Sequence, residues 1–210
     1  MALLNNCIPK LWITVDNFSR VIWYKEFMSA TNRGTVRNKN DFYPTPAWCV
    51  DELIAESKPG CLKGKSFTEP CRGDGAIYSR VIQTLKPTLV DWCELSDGRD
   101  YLKTEPLHRL DAIITNPPFS LAKAFLEKSL AEADFVAYLL RINFLGSRCR
   151  HEFWQANLPS HLFALSRRPD FSGAGGDACE YAWFVWDRLN ICKRQPGIHV
   201  IWNTKDRAYV

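Results

Sequence analysis

From residue 41 onward the chain alternates short apolar runs with amphipathic stretches. Lys65–Thr68, Thr88–Leu95, Asp111–Thr115, Phe135–Ile142, His161–Leu165 and Tyr181–Trp186 read as strands. The unbroken apolar run Phe135–Ile142 suits a strand buried on both faces. Thr45, a residue able to cap, and Pro46, suited to a first turn, open a helix with Val50, Leu53 and Ile54 on one face. That helix ends before Pro59-Gly60. Ala76–Leu85 and Ser120–Ala133 are further helices, the second with Leu121, Ala124, Phe125 and Ala131 as its expected buried side. Arg150–Gln155 is a shorter one, and Ile198–Trp202 reads as a last edge strand or a packing tail. Residues 1–40 have a different texture. Two apolar-aromatic stretches, Leu11–Val15 and Phe18–Phe27, precede a basic polar run over 31–40 that reads as a loop.

Strands alternating with helices in units of this size predict an α/β protein, an open sheet covered on both faces. The last two of these strands, with only a glycine-rich connection between them (Gly173, Gly175, Gly176), predict an antiparallel hairpin at one edge. The expected organisation is an arm or cap over 1–40, one domain over 41–190, and a tail or edge strand over 191–210. No internal repeat is present.

Composition narrows the class. With 46% apolar residues among 210, the chain has material for a core and is not a disordered polymer. The net charge is +4, and the arm, with six basic residues against two acidic, carries all of it. A histone-like polycation is excluded, while local recognition of a polyanion is not. None of the eight cysteines has CxxC spacing, so no zinc site arises from local pairs, and buried thiols in a reducing compartment are expected. The N-terminus lacks an uninterrupted apolar core, and no apolar run approaches the roughly 20 residues that span a bilayer. The expectation is a soluble cytoplasmic protein that engages no membrane.

Two loops carry candidate chemistry, and both fall at carboxyl ends of predicted strands, where open sheets bind ligands. In Glu69-Pro-Cys-Arg-Gly-Asp-Gly75, two glycines permit a tight turn and close approach of a ligand. The loop has neither the GxGxxG order of a dinucleotide site nor a phosphate-loop lysine. An acid ahead of the glycines favours a ligand bearing an ammonium group. About twenty residues on, Asp91 and Glu94 compete as acceptors for ribose hydroxyls, with Glu94 preferred as the nearer to the strand end. Asp100 suits an adenine amino group or plain solvent. In Asn116-Pro-Pro-Phe119 the prolines donate nothing and leave carbonyls as acceptors; Asn116 adds another, and Phe119 a ring able to stack on a planar base. Such a set holds both hydrogens of an NH₂ group and directs its lone pair.

These residues, in this order, resemble the S-adenosylmethionine-dependent amino-methyltransferases, and among them the small phage-type DNA adenine N6-methyltransferases. The resemblance runs from Asp41 to Arg188, roughly two thirds of the chain. Asn116-Pro-Pro-Phe119 matches the family's catalytic (Asn/Asp/Ser)-Pro-Pro-(Tyr/Phe) motif, so Asn116, Pro117, Pro118 and Phe119 are implied as catalytic. Phe42–Pro46 resembles the segment that folds over the methionine part of the cofactor, bringing in Tyr43, Thr45 and Pro46. Glu69, Pro70, Cys71, Gly73 and Gly75 correspond to the cofactor loop, Glu94 to the ribose acid and Asp100 to the adenine-side acid, with Asn116 also at the cofactor. Residues 139–145, 166–171 and 181–187 share the phage-type texture.

The implied fold is the Rossmann-like class I methyltransferase fold, a mostly parallel seven-stranded sheet with an antiparallel edge hairpin and helices on both faces. The implied reaction is direct methylation of N6 on an adenine flipped from double-stranded DNA, with S-adenosylmethionine as cofactor and no metal. Many larger members carry a separate target-recognition domain, and the residues after Arg188 are expected to be too few for one. DNA contacts are therefore assigned to Arg37 and Lys39 in the arm, and to Arg148, Arg150, Arg167 and Arg168. Solvated surface is an equal reading for each arginine of the second group. Phe171 is either a wedge or a packing residue. Competing readings are methylation of cytosine N4, of an RNA base or of a protein glutamine, and a non-catalytic relative that binds DNA or protein.

Overall fold

The computed structural model describes residues 43–57, 62–106, 108–173 and 175–202. Along them run α1 (Ala47–Ser57), β1 (Ser66–Glu69), α2 (Ala76–Leu85), β2 (Leu89–Trp92), β3 (Leu110–Thr115), α3 (Ala122–Glu132), β4 (Ala133–Arg141), α4 (His151–Ala156), β5 (His161–Leu165), β6 (Tyr181–Asp187) and β7 (Gly197–Ile201). Arg37 and Lys39 lie outside the described residues. No helix among those described is long and apolar enough to cross a membrane.

The period of two in the central strands builds two cores. Phe135, Ala137 and Leu139 of β4 face one side with Trp183 and Val185 of β6, where α1 and α2 supply Val50, Leu53, Ile77 and Val81. Val136, Tyr138 and Leu140 face the other with Phe184 and Trp186, covered by Phe125 and Leu126 of α3 and Phe153 and Trp154 of α4. Both faces are thus covered, as a continuous apolar strand requires.

The seven strands lie in the order β2-β1-β3-β4-β6-β5-β7. The first four run parallel. β6 is antiparallel to both β4 and β5, and β5 is parallel to β7. The sheet is therefore the mostly parallel, seven-stranded one expected, with one correction. The antiparallel pair is not at the edge: β6, buried along almost its whole length, sits between β4 and β5, and β7 closes the sheet beyond β5. The segment read as strand or tail is that outer strand.

A second correction concerns α3. Its buried residues are Ala122, Phe125, Leu126, Ser129 and Leu130, while Leu121 is 44% exposed and precedes the first turn. Of the four expected buried residues only Phe125 is inward. The stripe passes through a serine because the Ser129 hydroxyl bonds the phenols of Tyr101 (2.9 Å) and Tyr138 (2.6 Å). Satisfied in this way, a polar residue takes a core position that hydropathy assigns elsewhere.

From β1 the chain crosses to β2 on one side, and from β3 to β4 on the other. The strand order reverses between β1 and β3, so the loops after these two strands flank the reversal point at their shared carboxyl end.

Candidate active site

β1 ends at Glu69, and the turn to α2 passes through Gly73 (φ 55°) and Gly75 (φ 82°). Both are left-handed, which glycine adopts without strain. The turn is closed by the Gly75 amide donating to the Arg72 carbonyl at 2.8 Å. Glu69 is 1% exposed, and its Oε2 is buried without a hydrogen-bond partner. Burial pushes its carboxyl well above the usual carboxylate range; Asp74 and Glu94 act in the same direction, the Tyr78 amide and Arg72 against it. The result is a buried acid with one oxygen free to accept from a cationic donor.

Glu94, just past β2, reaches back into this loop. Its Oε2 accepts from the Gly73 amide (2.8 Å) and its Oε1 from the amide (3.2 Å) and hydroxyl (3.1 Å) of Ser96. Its rival Asp91 instead pairs with Arg99 at 2.8 Å on the exposed side of β2. Asp100 accepts from the Leu102 amide (3.1 Å) and pairs with Lys103 (3.1 Å). The Arg72 guanidinium lies 3.6 Å above the Trp92 ring and bonds Asp97 at 3.1 Å. Cys71 joins the two loops: its Sγ is 2.9 Å from the Thr115 hydroxyl and 3.4 Å from the Asn116 carbonyl.

β3 delivers Asn116. Its Nδ2 donates to the Tyr43 carbonyl (3.3 Å) and the Thr45 hydroxyl (3.1 Å). A backbone carbonyl only accepts, so the amide orientation is determined and Oδ1 faces the other way. That Oδ1 is buried and has no partner. The Pro118 carbonyl is taken by the Leu121 amide at 2.9 Å in the turn into α3, a bond in which the Pro117 carbonyl has no part. Pro117 is buried, and Pro118 and Phe119 are half-buried. Pro46 starts α1 by accepting from the Cys49 amide at 2.9 Å, and Pro70 continues the Glu69 turn. The segment Tyr43–Pro46 and both loops therefore converge on Asn116.

The Phe119 ring rests against Tyr43 (centroids 5.5 Å) and Tyr181 (6.0 Å). Above it stands Arg141, its guanidinium carbon 4.8 Å from the ring centre. Arg141 Nε donates to the Tyr181 hydroxyl (3.0 Å), which donates to Asp177 (3.0 Å). The sequence reading missed this residue as part of the site. Its signal was a lone cation closing the apolar run 135–140 of β4.

Among the residues assigned to DNA, the structure separates several. Phe171 is 7% exposed, packed against Tyr43 (5.8 Å) and Tyr181 (5.1 Å). The wedge reading is thereby corrected: the ring belongs to the wall behind Phe119. Arg150 is held by the Phe144 carbonyl at 2.8 Å and its ring at 4.3 Å. Arg168 pairs with Glu180, and Arg167 stands 5.8 Å from the Trp48 ring. Arg148 lines a surface hollow with His151 and Trp154.

No protein-family model and no curated protein sequence matches the chain. Solved structures do. A candidate RNA methyltransferase from Pyrococcus horikoshii superposes with a TM-score of 0.57 at 16% identity, over 70% of this chain and 88% of that one. The modification subunit of a candidate type I restriction enzyme from Vibrio vulnificus gives 0.53 at 15% identity, over 74% and 45%. A type I restriction-modification methyltransferase subunit from Streptococcus thermophilus gives 0.52 at 12%, over 72% and 45%. The match thus spans less than half of each restriction-modification subunit. At these identities the likeness is one of architecture, and that architecture is the Rossmann-like fold of the methyltransferases.

Proposed function

We propose that the chain transfers a methyl group from S-adenosylmethionine to the N6 amino group of adenine in double-stranded DNA. One observation carries the reading: the buried Oδ1 of Asn116, fixed in direction by two bonds to its own amide nitrogen and lacking a donor of its own. A buried acceptor left unmet is costly, and an exocyclic amino group supplies the missing hydrogen.

The donor set fits the cofactor. The unmet Glu69 oxygen suits the ammonium of its methionine part, and Glu94 has lone pairs beyond those used by Gly73 and Ser96 for ribose hydroxyls. Asp100 is assigned to the adenine side. When bound, the cofactor supplies a methyl group on a positively charged sulfur.

The chain's own residues do the rest. Asn116 Oδ1 accepts one amino hydrogen and the Pro117 carbonyl the other, which draws the nitrogen lone pair out of conjugation. Phe119, buttressed by Tyr43, Tyr181 and Arg141, offers the face on which an extruded base stacks. Tyr43 and Thr45 set the Asn116 amide before substrate arrives, and such preorganisation is where most of the acceleration originates. Arg148, Arg150, Arg167 and Arg168, with Arg37 and Lys39 of the arm, are proposed as phosphate contacts; Arg150 and Arg168 would have to exchange their bonds to the Phe144 carbonyl and Glu180 for a phosphate.

The test is transfer of labelled methyl to unmethylated duplex DNA, with product nucleosides separated and Asn116→Ala run in parallel. Label in N6-methyladenine, lost in the variant, is the expected result. Label in N4-methylcytosine would keep the chemistry and change the base. Transfer to RNA or protein alone, or none at all, would overturn the DNA assignment.

A further inference from the structure

At the end of the sheet opposite Asn116, the described residues bring together three side chains of metal-ligating type. His161 opens β5, Asp187 closes β6, and Cys192 lies in the segment between β6 and β7. A ring nitrogen of His161, a carboxylate oxygen of Asp187 and the Cys192 sulfur all lie within 4.8 Å of one another.

The sheet register explains the meeting. His161 pairs with Val185, and Asp187, two residues along β6, projects from the same face as Val185. Asp187 then folds the following chain back: its Oδ1 accepts from the Ile191 amide (3.0 Å) and its Oδ2 from the Cys192 amide (2.8 Å). These bonds orient the carboxylate and carry the thiol to the imidazole, as outer partners orient ligands in metal sites.

A separate observation points to a ligand. His161 is 3% exposed, and its Nδ1 is a buried atom with no hydrogen-bond partner. Burial lowers the imidazole pKa, with His199 acting the same way and Asp187 and the Gln195 carbonyl opposing. The neutral imidazole is the form that donates a lone pair to a metal. Burial, reinforced by Asp187, pushes the Cys192 thiol up to about 12, so without a metal it retains its proton.

We propose that His161, Asp187 and Cys192 form a binding site for a divalent transition metal of the zinc class. Imidazole nitrogen with thiolate sulfur selects borderline-soft ions over magnesium or calcium, which take oxygen ligands. On binding, a sulfur–metal bond forms as the Cys192 S–H bond breaks and its proton passes to solvent; no electron is transferred. A tetrahedral zinc ion holds its donors about 3.3–3.8 Å apart, so the triad closes by about 1 Å on loading, and water completes the fourth position. The ion would staple the start of β5 to the segment after β6, at the end of the sheet away from the proposed methyl-transfer residues.

Cobalt(II) is the probe. Metal-free protein, full chain, is titrated with Co²⁺ while its absorption is recorded, then challenged with Zn²⁺. The expected result is one Co²⁺ per chain, a near-ultraviolet thiolate-to-cobalt band with visible tetrahedral bands, and their loss on adding Zn²⁺. Cys192→Ser should abolish the thiolate band, and His161→Gln should weaken Co²⁺ binding by at least about 10-fold. Cys149→Ser, which removes an exposed thiol elsewhere, should change neither. Zn²⁺ should raise the thermal midpoint of the unmodified protein. A folded protein that shows no thiolate–cobalt band overturns the proposal, and so does a band that survives Cys192→Ser. If Cys192→Ser does not fold, an unchanged Co²⁺ affinity in His161→Gln is equally decisive.

Discussion

The two halves of the sheet differ in the buried polar atoms they leave unmet. In the antiparallel half, large polar-tipped rings are packed and satisfied. The Trp183 indole donates to the Cys49 carbonyl (2.8 Å), Trp186 to Asn157 (3.0 Å) and Trp154 to Phe144 (3.3 Å). In the parallel half, the strand ends at the order reversal leave buried acceptors unmet, Glu69 Oε2 and Asn116 Oδ1. Satisfied polar groups secure a unique packing; these two unmet acceptors are the ones assigned above to the proposed cofactor and substrate. His161, at the far end of the antiparallel half, is the exception that motivates the metal proposal.

This contrast can be broken most forcefully at Trp183. Trp183→Ala should cost about 3–5 kcal/mol of stability, seen as a lower urea midpoint. Asn116→Ala should lower kcat for methyl transfer by about 10²–10³-fold and leave the urea midpoint unchanged or higher. An Asn116 variant as unstable as the Trp183 one would erase the distinction between the halves.

Arg141 sits on the seam, opposite Tyr181 in the β4–β6 register. Arg141→Lys keeps the charge but loses the planar group over Phe119, and kcat/KM for DNA should fall about 10-fold. The smallest effect is expected at Asp111, which holds Lys65 Nζ (2.8 Å), the Ser66 amide (2.9 Å) and the Ser66 hydroxyl (3.0 Å) at the start of β1. Partial desolvation raises its carboxyl, but these partners outweigh it and the net shift is downward. The folded protein thus binds this proton more weakly than the unfolded chain does. The stabilisation is full above the unfolded value of about 4 and disappears as pH falls through the folded one. Asp111→Asn should cost about 1 kcal/mol at neutral pH, given the partial exposure, with the deficit shrinking below pH about 4.

Much of this was legible in the chain because it is local. The Gly73/Gly75 turn, the Asn116-Pro-Pro-Phe119 turn and the period-two faces of β4 and β6 each depend on residues a few positions apart. What was hidden depends on distant partners. Ser129 reads as surface until Tyr101 and Tyr138 arrive to bond it. Phe171 reads as a possible wedge until Tyr43 and Tyr181 enclose it. His161, Asp187 and Cys192 have no motif spacing, since a strand register assembles them.

The place of β5 also sets a timetable for synthesis. Both strands that border it, β6 and β7, lie later in the chain. A growing polypeptide therefore carries His161–Leu165 with two open edges until residues 181–201 have left the ribosome. Such unpaired apolar strands are where nascent chains stick to one another. Slow translation between Leu165 and Tyr181 would lengthen that exposure, and chaperone cover would matter most over this interval.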